Sequence, residues 1–197
     1  IRARTLDELL DLAIAVTTDI RRVTGTGVTL VGMGGGTAVL SADQMALAGL
    51  TVPPLPEKTQ EELREFIPVA GTSVRNPVDV TFGRDHPLDL IEDRERTGRA
   101  FNVIARAEST DMVFTTVGGW FRFRGDEPAD VAQARENRAI EEVEAIAGFQ
   151  RESETPFALI RTGRDDSKIL GSAQRQGLAV FPTVERASRV IGRLLEW

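Results

Sequence analysis

A doubly wound α/β fold, with a parallel sheet covered by helices on both faces, is what this sequence predicts, and three observations carry the prediction. From Val28 onward, short apolar and β-branched runs alternate with longer stretches of helical periodicity, the pattern of successive βα units. The short runs are mostly apolar and β-branched, as strands buried on both faces require. Two of them lead into glycine turns, at Gly32 to Gly36 and at Gly118-Gly119, each ahead of a helix. Five such units favour a five-stranded sheet of order 2-1-3-4-5, the flavodoxin-like arrangement, with its ligand crevice at the carboxyl ends of strands one and three.

Thr5 is placed to cap a first helix. Asp7 and Glu8 lie in its first turn, where the dipole favours acids, and Leu6, Leu9, Leu10, Ala13 and Val16 recur at helical spacing. Thr24-Gly25-Thr26-Gly27 ends that helix. Strands are expected at 28–31, at 50–52 or 78–80, at 112–117, at 157–161 and at 178–181. Helices are expected near 38–48, 58–67, 87–107, 127–149, 166–176 and 184–196. The last is the cleanest, with Val184, Ala187, Val190, Ile191, Leu194 and Leu195 on one side and Thr183 as its N-cap. Pro53-Pro54-Leu55-Pro56 is a rigid connector, and Gly125-Asp126-Glu127-Pro128 combines a cap with an early proline. Residues 1–26 read as a leading helix linked to a preceding domain, and 27–197 as the sheet domain.

The chain's 197 residues can bury one α/β core. Its 24 basic and 30 acidic residues leave a net charge of −6, which argues against a nucleic-acid partner. Lys58 and Lys168 are the only lysines, so arginine clusters carry little weight on their own. Without cysteine there is no disulfide, thiolate nucleophile or Cys-based zinc site. No apolar run approaches the roughly 20 residues that span a bilayer, so a soluble, cytoplasmic protein is expected. The start at Ile1, already close to a helix, suggests a piece of a longer polypeptide.

The turn Gly32-Met33-Gly34-Gly35-Gly36-Thr37 is the leading candidate site, because backbone amides at a helix N-terminus can meet an anion with no Cβ in the way. It is not a Walker loop, since no Gly-Lys-Ser/Thr closes it. The dinucleotide fingerprint fails as well: Thr37 stands at its third glycine, and no acidic residue ends a second strand at the expected distance. Packing of helix against sheet is the competing explanation of these glycines. The predicted topology sets this turn beside Gly118-Gly119, so Gly34, Gly35, Gly36, Thr37, Gly118 and Gly119 form one candidate phosphate site.

Arg75, Arg84, Arg122, Arg124 and Arg164 fall in loops at that edge, and Arg122 is the preferred anion ligand because it follows the second glycine turn. Trp120, Phe121 and Phe123 interleave with the arginines and fit a protein interface, an apolar ligand or the domain's own core. His86, the single histidine, has no partner at a recognisable spacing. Asp165-Asp166 reads as a helix cap rather than a metal site. No catalytic residue and no metal ligand is assigned.

Several segments in order resemble the NDP-forming acyl-CoA synthetases, the acetate-CoA ligase (ADP-forming) relatives of succinyl-CoA synthetase. They are Thr5-Leu6-Asp7-Glu8-Leu9-Leu10-Asp11-Leu12-Ala13, Gly35-Gly36-Thr37-Ala38-Val39-Leu40-Ser41-Ala42-Asp43, Thr59-Gln60-Glu61-Glu62-Leu63-Arg64, Asn76-Pro77-Val78-Asp79 and Pro182-Thr183-Val184-Glu185-Arg186-Ala187. The resemblance implies a flavodoxin-like ligase-CoA domain. In that family, acid, CoA and NTP give acyl-CoA, NDP and phosphate through an acyl phosphate and a phosphohistidine. His86 does not match the family's histidine, whose Ser-His-Thr-Gly-like segment would lie upstream of Ile1. By resemblance Asn76 joins the phosphate site, as part of a turn neighbouring Gly34 to Thr37. CoA, NTP and Mg would be bound by the complete enzyme and none by this chain alone. The implied partners are the CoA-binding and grasp domains or subunits and a phosphohistidine loop, with no membrane and no nucleic acid. The alternative is a non-catalytic regulatory ligase-like module, as in a protein acetyltransferase.

Overall fold

Val28 to Val31 form β1, the strand from which the rest of the sheet is laid out by three helical crossovers. The structure, a computed structural model, describes residues 1–68, 71–80, 89–117, 128–161 and 167–197. Within them, β1 is followed by β2 (Met112–Val117), β3 (Phe157–Arg161) and β4 (Ala179–Phe181), all parallel and in the spatial order β1-β2-β3-β4. Val28 pairs with Met112, Val113 with Phe157 and Ala158 with Ala179. The α/β class and the parallel sheet are as the sequence predicts.

The helices are α1 (Leu6–Thr17), α2 (Gly35–Leu47), α3 (Glu57–Arg64), α4 (Asp89–Ile104), α5 (Ala129–Ser153), α6 (Ser167–Arg175) and α7 (Val184–Leu195). Both predicted threonine caps form: Thr5 accepts from the Glu8 amide at 3.1 Å, and Thr183 from the Arg186 amide at 3.2 Å. α1 stops before the glycine turn, and a 3-10 turn, Asp19–Arg22, intervenes. α2 starts three residues earlier than predicted, taking Gly35 and Gly36 into its first turn.

The five-stranded sheet needs correction, since four strands form among the described residues. The two segments offered for the remaining strand each reach the outer edge of β1 through a single bridge, Gly27 to Thr51 and Val31 to Val78. Proline explains the interruption: Pro53, Pro54, Pro56 and Pro77 have no N–H with which to continue a ladder. Asn76, in a cis peptide with Pro77, supplies what a strand would have. Its Oδ1 accepts from the Leu30 amide at 3.1 Å, and its Nδ2 donates to the carbonyls of Val28 at 2.8 Å and Pro53 at 2.7 Å.

Each strand divides its side chains between two cores by the two-residue alternation of the pleat. Val113, Val117, Phe157, Leu159 and Val180 face the layer of α3, α4, α5 and α6, where Phe101 meets Phe157 edge to face at 5.4 Å. Leu30, Met112, Phe114, Ile160 and Phe181 face α1, α2 and α7, with Met45, Val190 and Ile191 packed on them. α7 lies between α1 and α2 in contact with both. The leucine stripe of α1 turns away from the core: Leu6, Leu9, Leu10 and Val16 are exposed, whereas Glu8 and Asp11 are buried.

Candidate functional site at the carboxyl edge of the sheet

β1 and β2 are parallel neighbours, with Val31 opposite Thr115. The chain therefore leaves β1 at Gly32 and β2 at Val117 on the same edge. At Gly32 it turns with φ 68° and at Gly34 with φ 70°, a backbone region that glycine enters without steric cost. Met33 between them is 2% exposed and packs in the core, which pins the turn from below. The turn is thus built by two permissive residues around one apolar anchor.

Gly34 is the N-cap residue of α2 and has no side chain with which to cap it. The helical ladder begins where the Ala38 amide donates to the Gly34 carbonyl at 2.9 Å. The amides of Gly34, Gly35, Gly36 and Thr37 lie ahead of it, at the positive end of the dipole. Gly35 and Gly36 are exposed, and no titratable side chain stands in 32–38. Such an end can hold an anion but offers no nucleophile, acid or base of its own.

Among the described residues, packing does not account for these glycines. A Cβ built at Gly34, Gly35 or Gly36 would meet nothing within 4 Å. Other glycines of the chain show what a packing requirement looks like. A Cβ at Gly25 would strike the Asp111 carboxylate, and one at Gly192 the Ala48 carbonyl where α7 crosses α2.

Of the remaining predicted ligands, Thr37 sits in the first turn of α2, half-buried. Asn76 lies on the outer edge of β1 with its amide engaged by three backbone groups, which fixes the strand that feeds the glycine turn. Arg75 is exposed, and its carbonyl accepts from the Leu55 amide at 2.7 Å. Gly118, Gly119 and Arg122 lie outside the described residues. So do Arg84, His86, Trp120, Phe121, Phe123, Arg124, Asp126, Arg164, Asp165 and Asp166. Two hydroxyl residues, Ser41 of α2 and Thr116 of β2, also border this edge, the first inside a segment that carries the resemblance and the second next to last in β2. No helix among the described residues is long and apolar enough to cross a membrane.

Comparison with known proteins falls on the same region. Residues 28–99, which include β1, the glycine turn, α2 and Asn76, match the Ligase-CoA domain family. The alpha subunit of acetate–CoA ligase (ADP-forming) II from Pyrococcus furiosus is 42% identical over 78 residues, which make up 40% of this chain and 16% of the relative. A solved protein of Pyrococcus horikoshii OT3 superposes on 98% of the chain with a TM-score of 0.72 at 24% identity. The apo form of the dinucleotide forming acetyl-coenzyme A synthetase 1 of Ca. Korarchaeum cryptofilum does so with a TM-score of 0.67 at 18% identity. The chain spans 40% and 37% of those two structures, respectively. These findings bear out the resemblance to the NDP-forming acyl-CoA synthetases.

Proposed function

We propose that this chain is a ligase-CoA-type domain of an NDP-forming acyl-CoA synthetase, in which the N-terminus of α2 docks the phosphate of a phosphohistidine carried by another domain or subunit. The observation that carries this reading is the open end of α2. Gly35 and Gly36 are exposed, and a Cβ at Gly34, Gly35 or Gly36 would meet nothing within 4 Å among the described residues, within the segment that matches the Ligase-CoA family. A phosphoryl group passing between histidine and acid is multiply anionic throughout, so oriented amides and a helix dipole stabilise it without proton transfer.

On this reading Gly34, Gly35, Gly36 and Thr37 form one wall of the phosphate site, and Gly118, Gly119 and Arg122 form the other. Asn76 acts by holding β1 in place. CoA, NTP and Mg belong to the CoA-binding and grasp domains or subunits, and the chemistry of acid, CoA and NTP giving acyl-CoA, NDP and phosphate is completed there. The two bridges on β1 stand where the second strand of a flavodoxin-like 2-1-3-4-5 sheet would run.

Two measurements test the proposal. The isolated chain, mixed with acetate, CoA and Mg-ATP, is expected to form no acyl-CoA, and formation at an enzyme-like rate would sink the assignment. Inorganic phosphate is expected to move the amide resonances of Gly35, Gly36 and Thr37, and Gly36→Asp to abolish that binding by placing a carboxylate in the site. Phosphate binding undiminished in the variant would remove α2 from the site.

A further inference from the structure

α1 carries its apolar stripe on the outside. Leu6 is 72% exposed, Leu9 55%, Leu10 52% and Val16 46%, and Ala13 among them is exposed as well. The inner side of the same helix explains why. Leu12 and Ala15 are buried in the core, and Glu8 and Asp11 are held by Arg193 and Arg186 of α7. Rotating α1 to bury its leucines would break both ion pairs, so the stripe is an exterior surface fixed from behind.

Its spacing is that of a helix awaiting another helix. Leu6, Leu9, Ala13 and Val16 follow one another at intervals of three, four and three residues, the alternation with which two helices pack nearly side by side. Leu10 widens the seam, and no charge falls on it: Asp7, on its flank, pairs with Arg186 at 3.4 Å. Turned antiparallel about a two-fold axis, two such stripes set Leu6 of one copy against Val16 of the other, and Leu9 against Ala13. A larger side chain then meets a smaller one at each level, which makes the surface complementary to itself. The five residues leave roughly 400 Å² of apolar surface bare, as much as the largest patches that monomers carry. Closing two stripes on each other removes about 800–1,000 Å², the size of a weak and reversible interface.

We propose that a second copy of this chain covers the stripe, through an antiparallel pair of α1 helices whose two-fold axis passes close to Leu10. Little ordering opposes the contact, since each α1 is already held as a helix by its own domain. The pairing is independent of the phosphate edge, because α7 stands between α1 and α2.

Sedimentation equilibrium of the chain over a concentration series tests the pairing, with self-association expected at about 10–100 μM. Leu9→Gln combined with Leu10→Gln keeps helix-forming residues at both positions. This double variant is expected to retain the far-UV circular dichroism of the wild type and to weaken the dimer at least roughly a hundredfold. The chain contains no cysteine, so one introduced thiol reports the geometry. On oxidation with diamide, Leu10→Cys, near the axis, is expected to give disulfide-linked dimers. Leu6→Cys, displaced from its counterpart by about 15 Å along the helices, is expected to stay unlinked. A chain that is monomeric throughout the series overturns the proposal and assigns the stripe to another domain or subunit. A dimer undiminished by the double variant, or Leu6→Cys linking as readily as Leu10→Cys, overturns it as well.

Discussion

Arg186 grips Asp11 with both arms of its guanidinium, Nε on Oδ2 and Nη2 on Oδ1, each at 2.8 Å. The pair joins α7 to α1 across 175 residues of sequence, and about two turns further along α7 Arg193 meets Glu8, about one turn back along α1. This is why α1 turns its acids inward and its leucines outward. Asp11 is 4% exposed, so losing its partner leaves a carboxylate with little water to turn to. Arg186→Ala is expected to destabilise the chain by about 2–3 kcal/mol, read from urea denaturation. Arg186→Lys should recover only part of that, because an ammonium cannot fork onto both oxygens.

Acid should loosen the same contact. The Arg4 backbone amide hydrogen-bonds the Glu8 carboxylate, and together with Arg193 it holds the Glu8 pKa below the ordinary 4.5 despite the opposing effect of burial. A carboxyl with a depressed folded-state pKa contributes stability that is present above its unfolded value and is lost as pH falls through the folded one. Thermal stability is therefore expected to fall below about pH 4.5, and Glu8→Gln to flatten that acid limb. An acid limb of the same steepness in the variant would dissociate Glu8 from the effect.

Asn76→Ala removes one acceptor and two donors at once and leaves the Leu30 amide and Val28 carbonyl of β1, and the Pro53 carbonyl, without this partner. A loss of about 2–4 kcal/mol is expected, with hydrogen-exchange protection falling first at Leu30. Asn76→Asp keeps the acceptor but sets a carboxylate against two carbonyls, and should be no better than alanine. Equal protection of Leu30 in wild type and Asn76→Ala would contradict the edge-holding role.

Alanine at two glycines should have opposite outcomes. Gly192→Ala drives a methyl into the Ala48 carbonyl, at an expected cost of about 1–3 kcal/mol. Gly36→Ala meets open space and has helical backbone, so it should stabilise the chain by up to about 1 kcal/mol. Phosphate affinity should nevertheless fall in Gly36→Ala, and a stabilised variant with intact phosphate binding would separate the glycines from anion docking. Paired calorimetry and phosphate titration make the comparison.

Much of this architecture was legible in the sequence for local reasons. Thr5 and Thr183 are caps that can be read from their own neighbourhoods, and the apolar runs of β1, β2 and β3 declare strands buried on both faces. The orientation of α1 was not legible, because it is decided by Arg186 and Arg193, which lie far along the chain, and its leucine stripe by itself points to burial. The missing strand was obscured in a similar way. Residues 50–52 and 78–80 have strand composition, but the neighbouring prolines cut their pairing to single bridges, and an asparagine side chain completes the edge. The glycine turn was legible as a turn at a helix start, while the open space around it could be found only in three dimensions.

The edge completed by Asn76 also bears on how this chain can assemble. The backbone of β1 is already engaged on its outer side by Thr51, Val78 and Asn76, and at the opposite end β4 is only three residues long. A sheet blunted at one margin and clipped short at the other offers poor purchase for strand addition. Contacts with other domains or copies are then expected to run through helix faces and turns, so the sheet stays a private scaffold.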